Sequence, residues 1–412
     1  MNIAYASLAA LVVAILVSCF TELNVGILAL ALAWVVGVYL GGMSLNDVIG
    51  GFPVSLFLTL SGVTLLFAQA QSNRTLDRIA HRAVRLCRGN AGLIPIMFFI
   101  LGCALASLGP GNISTAALLG PMAMAIAGRA AIPAFLMIIM VGNGAQAGAL
   151  SPFAPTGVIV NGLMAKIGLP GHEWFTYSTN LAAHAVVAFG GYFAFGGLKL
   201  FKSGGVAELE QKPEEIDFDR HNVITMVVIG TLLIGVLFFG VNVGMGAFAG
   251  AALLAALGAA DHKESIRKMP WPVIMMVSGV TVLIALMEKT GGLDLFTAAL
   301  ARLATPGTIT GVIAFVTGLI SVYSSTSGVV LPAFLPTIPG LIERLGGGDP
   351  LAIAASMNIG AHLVDLSPLS TTGALCIAAI VSGENIRSVF NKLLVWGLSM
   401  TVVGAVLCYI FF

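Results

Sequence analysis

The chain has 412 residues, of which 58% are hydrophobic and only 9% charged, and its formal net charge is +1. Soluble domains carry roughly a quarter charged residues, so a large soluble core is excluded and a polytopic membrane protein is implied. No basic run is long enough for nucleic acid. The five cysteines (Cys19, Cys87, Cys103, Cys376, Cys408) lack metal-ligand spacing and read as apolar filler.

Apolar stretches long enough to cross a bilayer, about 20 residues each, fall at 3–20, 23–42 and 54–71. Residues 73–89 then alternate arginine with apolar positions at helical spacing. They predict an interfacial amphipathic helix whose arginines face lipid headgroups. Region 91–128 is apolar but carries Gly, Pro, Asn and Ser in its middle, which predicts a re-entrant hairpin. Region 131–167 is a crossing broken at Ser151-Pro152 and Thr156-Gly157, and 177–200 is a further span. The acidic stretch 203–221 reads as a solvated cytoplasmic linker. Spans at 222–240, 243–260 and 270–287 follow, then a second hairpin over 307–345. A second broken crossing, 350–382, is interrupted at Ser367-Pro368 and Thr372-Gly373, and the last span is 393–411.

The second set of elements repeats the first about 216 residues later. Ser61-Gly62-Val63-Thr64-Leu65-Leu66 returns as Ser278-Gly279-Val280-Thr281-Val282-Leu283. Both Ser-Pro and Thr-Gly pairs recur with the same offset. Residues 1–202 and 222–412 are therefore expected to be two repeats joined by the linker. With five crossings in each half, the second is upside down relative to the first. Lysine and arginine agree with that topology. With the N-terminus outside, only Lys166, Lys289, Arg302 and Arg344 lie outside and all the others lie inside, a strong positive-inside bias. The expected fold class is an all-α polytopic membrane protein, an inverted repeat of two five-crossing halves, each with a re-entrant hairpin and a broken helix.

Polar, helix-breaking backbone at membrane depth is tolerated only where protein or a water-filled cavity covers it. The first hairpin tip, Ser107 to Thr115, contains Gly109, Pro110 and Gly111, followed by Asn112, Ser114 and Thr115. The second helix of that hairpin starts at the tip, and its free N–H groups suit an anion; Ser114 or Thr115 as a simple helix cap is the other reading. Ser324-Ser325-Thr326-Ser327-Gly328 forms the second tip. The candidate contacts for an anionic substrate are Asn112, Ser114, Thr115, Ser151, Pro152, Thr156, Thr326, Ser327, Ser367, Pro368 and Thr372. Those for a coupling cation are Ser107, Gly111, Asn112, Leu150, Ser324, Ser327 and Asp365. Asp365, with His362 on the same helical face, is the clearest ionisable residue inside the membrane. It reads either as a cation or proton ligand or as a carboxylate hydrogen-bonded to the broken helix. His184 reads as a packed or hydrogen-bonded core histidine. No Lys or Arg lies near the tips, so an anion there relies on hydroxyls, amides, helix N-termini and bound cations.

These hairpin tips and broken helices resemble those of the divalent anion/sodium symporter group of the ion transporter superfamily. Phe52-Pro53, Ser61 to Phe67 and Gly109-Pro110-Gly111-Asn112 are similar to the malonate/dicarboxylate carrier branch, the MatC-like carriers. In the family's first motif only Asn112 is kept; Ser107 matches a sodium-site serine, and Thr326-Ser327-Gly328 lacks the second asparagine. The resemblance implies an elevator motion against a scaffold that forms a homodimer. The function expected is uptake of a small dicarboxylate, malonate- or succinate-like, coupled to sodium or protons in a bacterial inner membrane, with no other cofactor. A sodium/proton exchanger or metalloid anion efflux pump on the same scaffold is the alternative. An enzyme is not expected, because HExxH, GxSxG and a second membrane aspartate are absent.

Overall fold

The computed structural model describes residues 2–21, 23–201, 218–380 and 384–412. The linker residues 203–217, with Lys202 and Glu22, lie outside the described residues. Every regular element among the described residues is helical. In the first half these are α1 (Ile3–Phe20), α2 (Val25–Trp34), α3 (Leu45–Ile49), α4 (Val54–Ser72), α5 (Thr75–Arg85), α6 (Leu93–Leu108), α7 (Gly111–Arg129), α8 (Ala134–Gly148), α9 (Pro155–Lys166) and α10 (Glu173–Ala194). The second half begins with α11 (Arg220–Phe239), α12 (Val243–Ala256), α13 (His262–Lys268), α14 (Trp271–Thr290), α15 (Gly292–Ala301) and α16 (Ile309–Ser321). It ends with α17 (Leu331–Phe334), α18 (Ile338–Leu345), α19 (Pro350–Leu363), α20 (Thr371–Ala378) and α21 (Ile386–Phe411).

The two halves are not side by side; they interlock. Helix α4 packs along α12, and its repeat counterpart α14 packs along α2, the counterpart of α12. Glycines allow the backbones to touch. A Cβ added at Gly279 would lie 2.1 Å from the carbonyl oxygen of Gly26, and one at Gly62 would lie 2.4 Å from that of Gly244. Polar side chains fasten the same interfaces. Ser7 and Thr290 share a hydroxyl hydrogen bond of 2.7 Å, Asn24 donates to the Pro272 carbonyl at 2.9 Å, and Gln69 donates to the Ala251 carbonyl at 3.0 Å.

Helices α6 and α7 form the first hairpin. Glycine contacts show its direction: Gly144 of α8 meets Phe99 of α6, and Gly148 meets Cys103 and Ala106. Both sets of numbers rise together, so α6 and α8 are parallel. Helix α7 joins α8 through a short loop and packs beside it, so α7 is antiparallel to α6. The reversal falls at Gly109, whose φ of 144° only glycine adopts easily. With 19 residues, α7 has the length of a span, yet its start at the tip abuts the break of the first broken crossing: a Cβ at Gly111 would meet Pro155 Cδ at 3.0 Å.

The second hairpin pairs α16 with an arm that is not one regular helix. A π-helical turn, Thr326–Val330, leads through α17 and a 3₁₀ turn, Leu335–Thr337, into α18. Pro332, Pro336 and Pro339 lack the N–H groups that a continuous α-helix requires.

Helix α5 differs from the lipid-facing element read from its arginines. Leu76 and Ala80 are buried, as amphipathicity predicts. Arg78, however, pairs with Asp219 at 3.1 Å and reaches Asn222, and Arg82 sits 4.4 Å over the ring of Phe218. Two arginines thus fasten α5 to the start of α11.

Candidate functional site

The two broken crossings stop in the same way. In the first, the Ser151 hydroxyl accepts from the Phe153 N–H at 3.3 Å, and its carbonyl accepts from the Ala154 N–H at 3.0 Å. In the second, the Ser367 hydroxyl accepts from Leu369 at 3.3 Å, and its carbonyl accepts from Ser370 at 3.0 Å. Each serine converts the helix end into a tight turn, using its side chain as a local backbone partner. Pro152 and Pro155 in one, and Pro368 in the other, prevent a regular continuation.

These breaks bring both hairpin tips to one cleft of about 450 Å³, within the usual range of about 300–1,000 Å³ for small-molecule sites. Asn112 and Ile113 line it from the first tip, and Tyr323, Ser324, Ser325, Thr326 and Ser327 from the second. Asp365, Leu369, Ser370, Thr371 and Thr372 come from the second broken crossing, and Asn24, Val25, Pro272 and Met276 from the scaffold. None of these lining residues is Lys or Arg.

A polar chain crosses behind the cleft. Asn112, only 7% exposed, donates through Nδ2 to Gln146 Oε1 at 3.0 Å. Gln146 Nε2 in turn lies 3.3 Å from both Asp365 Oδ2 and Thr372 Oγ1. The Thr326 hydroxyl donates to Asp365 Oδ1 at 2.7 Å and also meets the Ser321 hydroxyl. One carboxylate therefore ties the second tip to the first through a single glutamine. Asp365 is itself 9% exposed and faces the cleft, so it remains within reach of a cation.

Several helices begin at this cleft. Asn24 caps α2, Ser370 caps α20, and Ser325 caps the returning arm at Gly328. The start of α7 has no side-chain cap, which leaves its first N–H groups for a ligand. The positive ends of these helices converge on a space without fixed cations.

Other candidate residues fall elsewhere. Ser114 and Thr115 turn away from the cleft and line a separate cavity of about 20 Å³ with Thr64, Phe67 and Pro110. Residues two and three positions after Asn112 point to other faces of α7. Ser107, Gly111, Leu150, Ser151, Pro152 and Thr156 cluster at the first tip and first break. There the Ser151 hydroxyl donates to the Ser107 carbonyl at 2.7 Å, and Ser107 and Tyr177 share a hydroxyl hydrogen bond of 2.9 Å. Leu150, Ser151 and Thr156 are buried. Ser367 and Pro368 are buried inside the second break, so Ser367 shapes the turn and does not line the cleft. Sequence reasoning missed Gln146, Ser370 and Thr371. The signal for Gln146 was a second amide side chain, three residues after Asn143, in an otherwise apolar helix whose Gly142-Asn143-Gly144 was read as a packing segment.

Interlocked apolar helices, two re-entrant hairpins and interrupted crossings around a polar cleft define the architecture of a multi-pass membrane protein. Residues 1–149 match the family model described as the dicarboxylate carrier protein MatC N-terminus. All the residues that carried the resemblance to that branch lie within this segment. An uncharacterized transporter of Haemophilus influenzae is 24% identical over 385 residues, covering 85% of this chain and 79% of that protein. The crystal structure of the Alcanivorax borkumensis YdaH transporter, described as having an unusual topology, shares the fold. It has a TM-score of 0.61 at 18% identity, over 90% of this chain and 88% of that one.

Proposed function

We propose that the chain is a secondary active transporter that takes up a small dicarboxylate, malonate- or succinate-like, across a bacterial inner membrane, driven by sodium or protons. The observation that carries this reading is the convergence of helix N-termini on a cleft where, among the described residues, the only lining charge is the Asp365 carboxylate. Such a cleft attracts an anion through N–H groups, hydroxyls and amides, but Asp365 repels it until a cation is bound. Anion and cation each improve the other's site, and that mutual preference is the coupling. Asn112, Thr326, Ser327 and Thr372 are the carboxylate contacts in this reading. Ser107, Gly111, Asn112 and Leu150 would serve a cation at the first tip, and Ser324, Ser327 and Asp365 one at the second.

The interlocked α2, α4, α12 and α14 would form the stationary scaffold and the dimer-forming part, with hairpins and broken crossings moving together as an elevator. The test is reconstituted uptake. Labelled malonate or succinate should accumulate in proteoliposomes when a sodium or proton gradient is imposed. Sodium/proton exchange without any organic acid, and no gradient-driven uptake, would replace this reading with the exchanger.

A further inference from the structure

Away from the cleft, α8, α10 and α19 meet around a group of polar side chains that the transport site does not use. Asn143, Asn180, His184, Asn358 and His362 are each 2% exposed or less. Asn180 and His184 lie one turn apart on α10, and Asn358 and His362 one turn apart on α19. Leu366, just past the end of that helix, reaches Gly142 of α8. Helices α10 and α19, which carry the two imidazoles, pack against each other.

Hydrogen bonds fix the chemistry of the group. Asn143 Nδ2 donates to the Ile139 carbonyl at 2.9 Å, so its Oδ1 accepts from His184 Nδ1 at 2.8 Å. His362 Nδ1 donates to the Asn358 carbonyl at 2.9 Å, and Asn180 Nδ2 donates to the Gln146 carbonyl at 2.9 Å. Each neutral ring therefore carries its hydrogen on Nδ1 and presents Nε2 as a bare acceptor. His184 Nε2, His362 Nε2, Asn180 Oδ1 and Asn358 Oδ1 are four buried acceptors without a hydrogen-bond partner, against one such donor, Asn358 Nδ2. Unpaired buried polar groups are costly, and this excess of acceptors calls for a guest that brings hydrogen or positive charge.

We propose that this group is a proton-binding site: an incoming proton bonds to Nε2 of His184 or His362, and the resulting imidazolium is held by the neighbouring acceptors. One N–H bond forms and no electron is transferred. Two of the four acceptors are nitrogen, whereas hard cations such as sodium prefer oxygen. A divalent metal would bring charge that no ligating carboxylate or thiolate offsets, and no cluster of three or more His, Cys, Asp or Glu suited to a metal occurs among the described residues. The titratable groups on the packed elements are few. Helix α8 has none, α10 has Tyr177 and Tyr192 beyond the cluster and Glu173 at its start, and α19 leads to Asp365. Helix α6 offers Cys103, α7 Arg129 at its end, α9 Lys166 at its end, α18 Glu343 and Arg344, α20 Cys376, and α21 Arg387 and Lys392 near one end with Cys408 and Tyr409 near the other. The nearest carboxylate along the chain is thus Asp365, three residues beyond His362, which provides a route from the cleft. Use of the proton for coupling rests on the transporter reading; its binding does not.

The full-length protein in lipid nanodiscs, ¹⁵N-labelled on its six histidines, is titrated by NMR from about pH 8 to about pH 5, the range over which imidazole charges. None of the other four histidines is buried. More than four imidazolium signals at the acid end are expected, with the additional one assigned by its loss in His184→Gln or His362→Gln. Wild-type protein that never exceeds four overturns the proposal and leaves a site for ordered water only; this count does not depend on either variant folding. In proteoliposomes both variants are expected to lose uptake driven by a pH gradient while still binding dicarboxylate. Retained pH-driven uptake in both variants also overturns the proposal. Failure of wild-type protein to move any dicarboxylate defeats the transporter reading instead, and the titration still decides the site.

Discussion

Gln146 donates to the carboxylate of Asp365 at 3.3 Å, joining the two repeats at the one place where both hairpin tips converge. Because the same side chain accepts from Asn112, its loss strands an amide on one tip and weakens the hold on a carboxylate at the other. Gln146→Ala is expected to destabilise the protein by about 1–3 kcal/mol and to weaken dicarboxylate binding. Thermal unfolding in detergent and isothermal titration measure the two effects separately; unchanged affinity would detach this bridge from the site.

Asn112→Ala removes the first tip's amide from the cleft. Uptake is expected to vanish while expression persists, with a lowered unfolding temperature because Gln146 Oε1 loses its donor. Transport at the wild-type rate would remove the first hairpin from substrate contact.

Asp365→Asn keeps a polar partner for Thr326 and Gln146 but deletes the one charge that lines the cleft among the described residues. Uptake by this variant is expected to lose its dependence on the imposed cation gradient, whichever cation is used. Measuring uptake against sodium and against pH separates the two, and an unaltered response to both would make the carboxylate structural.

Gly279→Val would place a side chain against the backbone of Gly26, where a Cβ already falls 2.1 Å from a carbonyl oxygen. Overpacking costs about 1–3 kcal/mol and sometimes more. A lowered unfolding temperature is expected, with Gly244→Val behaving alike, because it disturbs the repeat-related contact. Wild-type stability in both variants would contradict the interlocked scaffold.

Asp219 caps α11 through the N–H of Asn222 at 3.0 Å and pairs with Arg78. That backbone hydrogen bond first, and the Arg78 charge to a smaller degree, hold its carboxyl below the usual carboxylate range. A lowered folded-state pKa stabilises fully above the unfolded value, about 3.9, and the benefit fades as pH falls through the lowered value. Asp219→Ala is expected to cost about 1 kcal/mol at neutral pH, and progressively less on acidification. Unfolding curves at neutral and acid pH check this; a pH-independent difference would assign the effect to packing.

The helices, their interruptions and the relation of the two halves were legible in residues such as Ser61 to Leu66 and Ser278 to Leu283. Apolar length, proline, glycine and repeat spacing act locally along the chain, and each carries its meaning without knowledge of a partner. The broken crossings at Ser151 and Ser367 were legible for the same reason: a proline's missing N–H and an adjacent serine's hydroxyl act on their own stretch of backbone. The facing of individual side chains was not. Ser114 and Thr115 follow Asn112 by two and three positions, yet only the packing of α7 against its neighbours decides that Asn112 meets the cleft and they do not. Gln146 gained its place from Asp365, 219 positions away in the chain, and no local signal encodes such a contact. Rotation of a helix about its axis and the pairing of distant polar groups are settled by packing between elements, which exists only once the chain has folded.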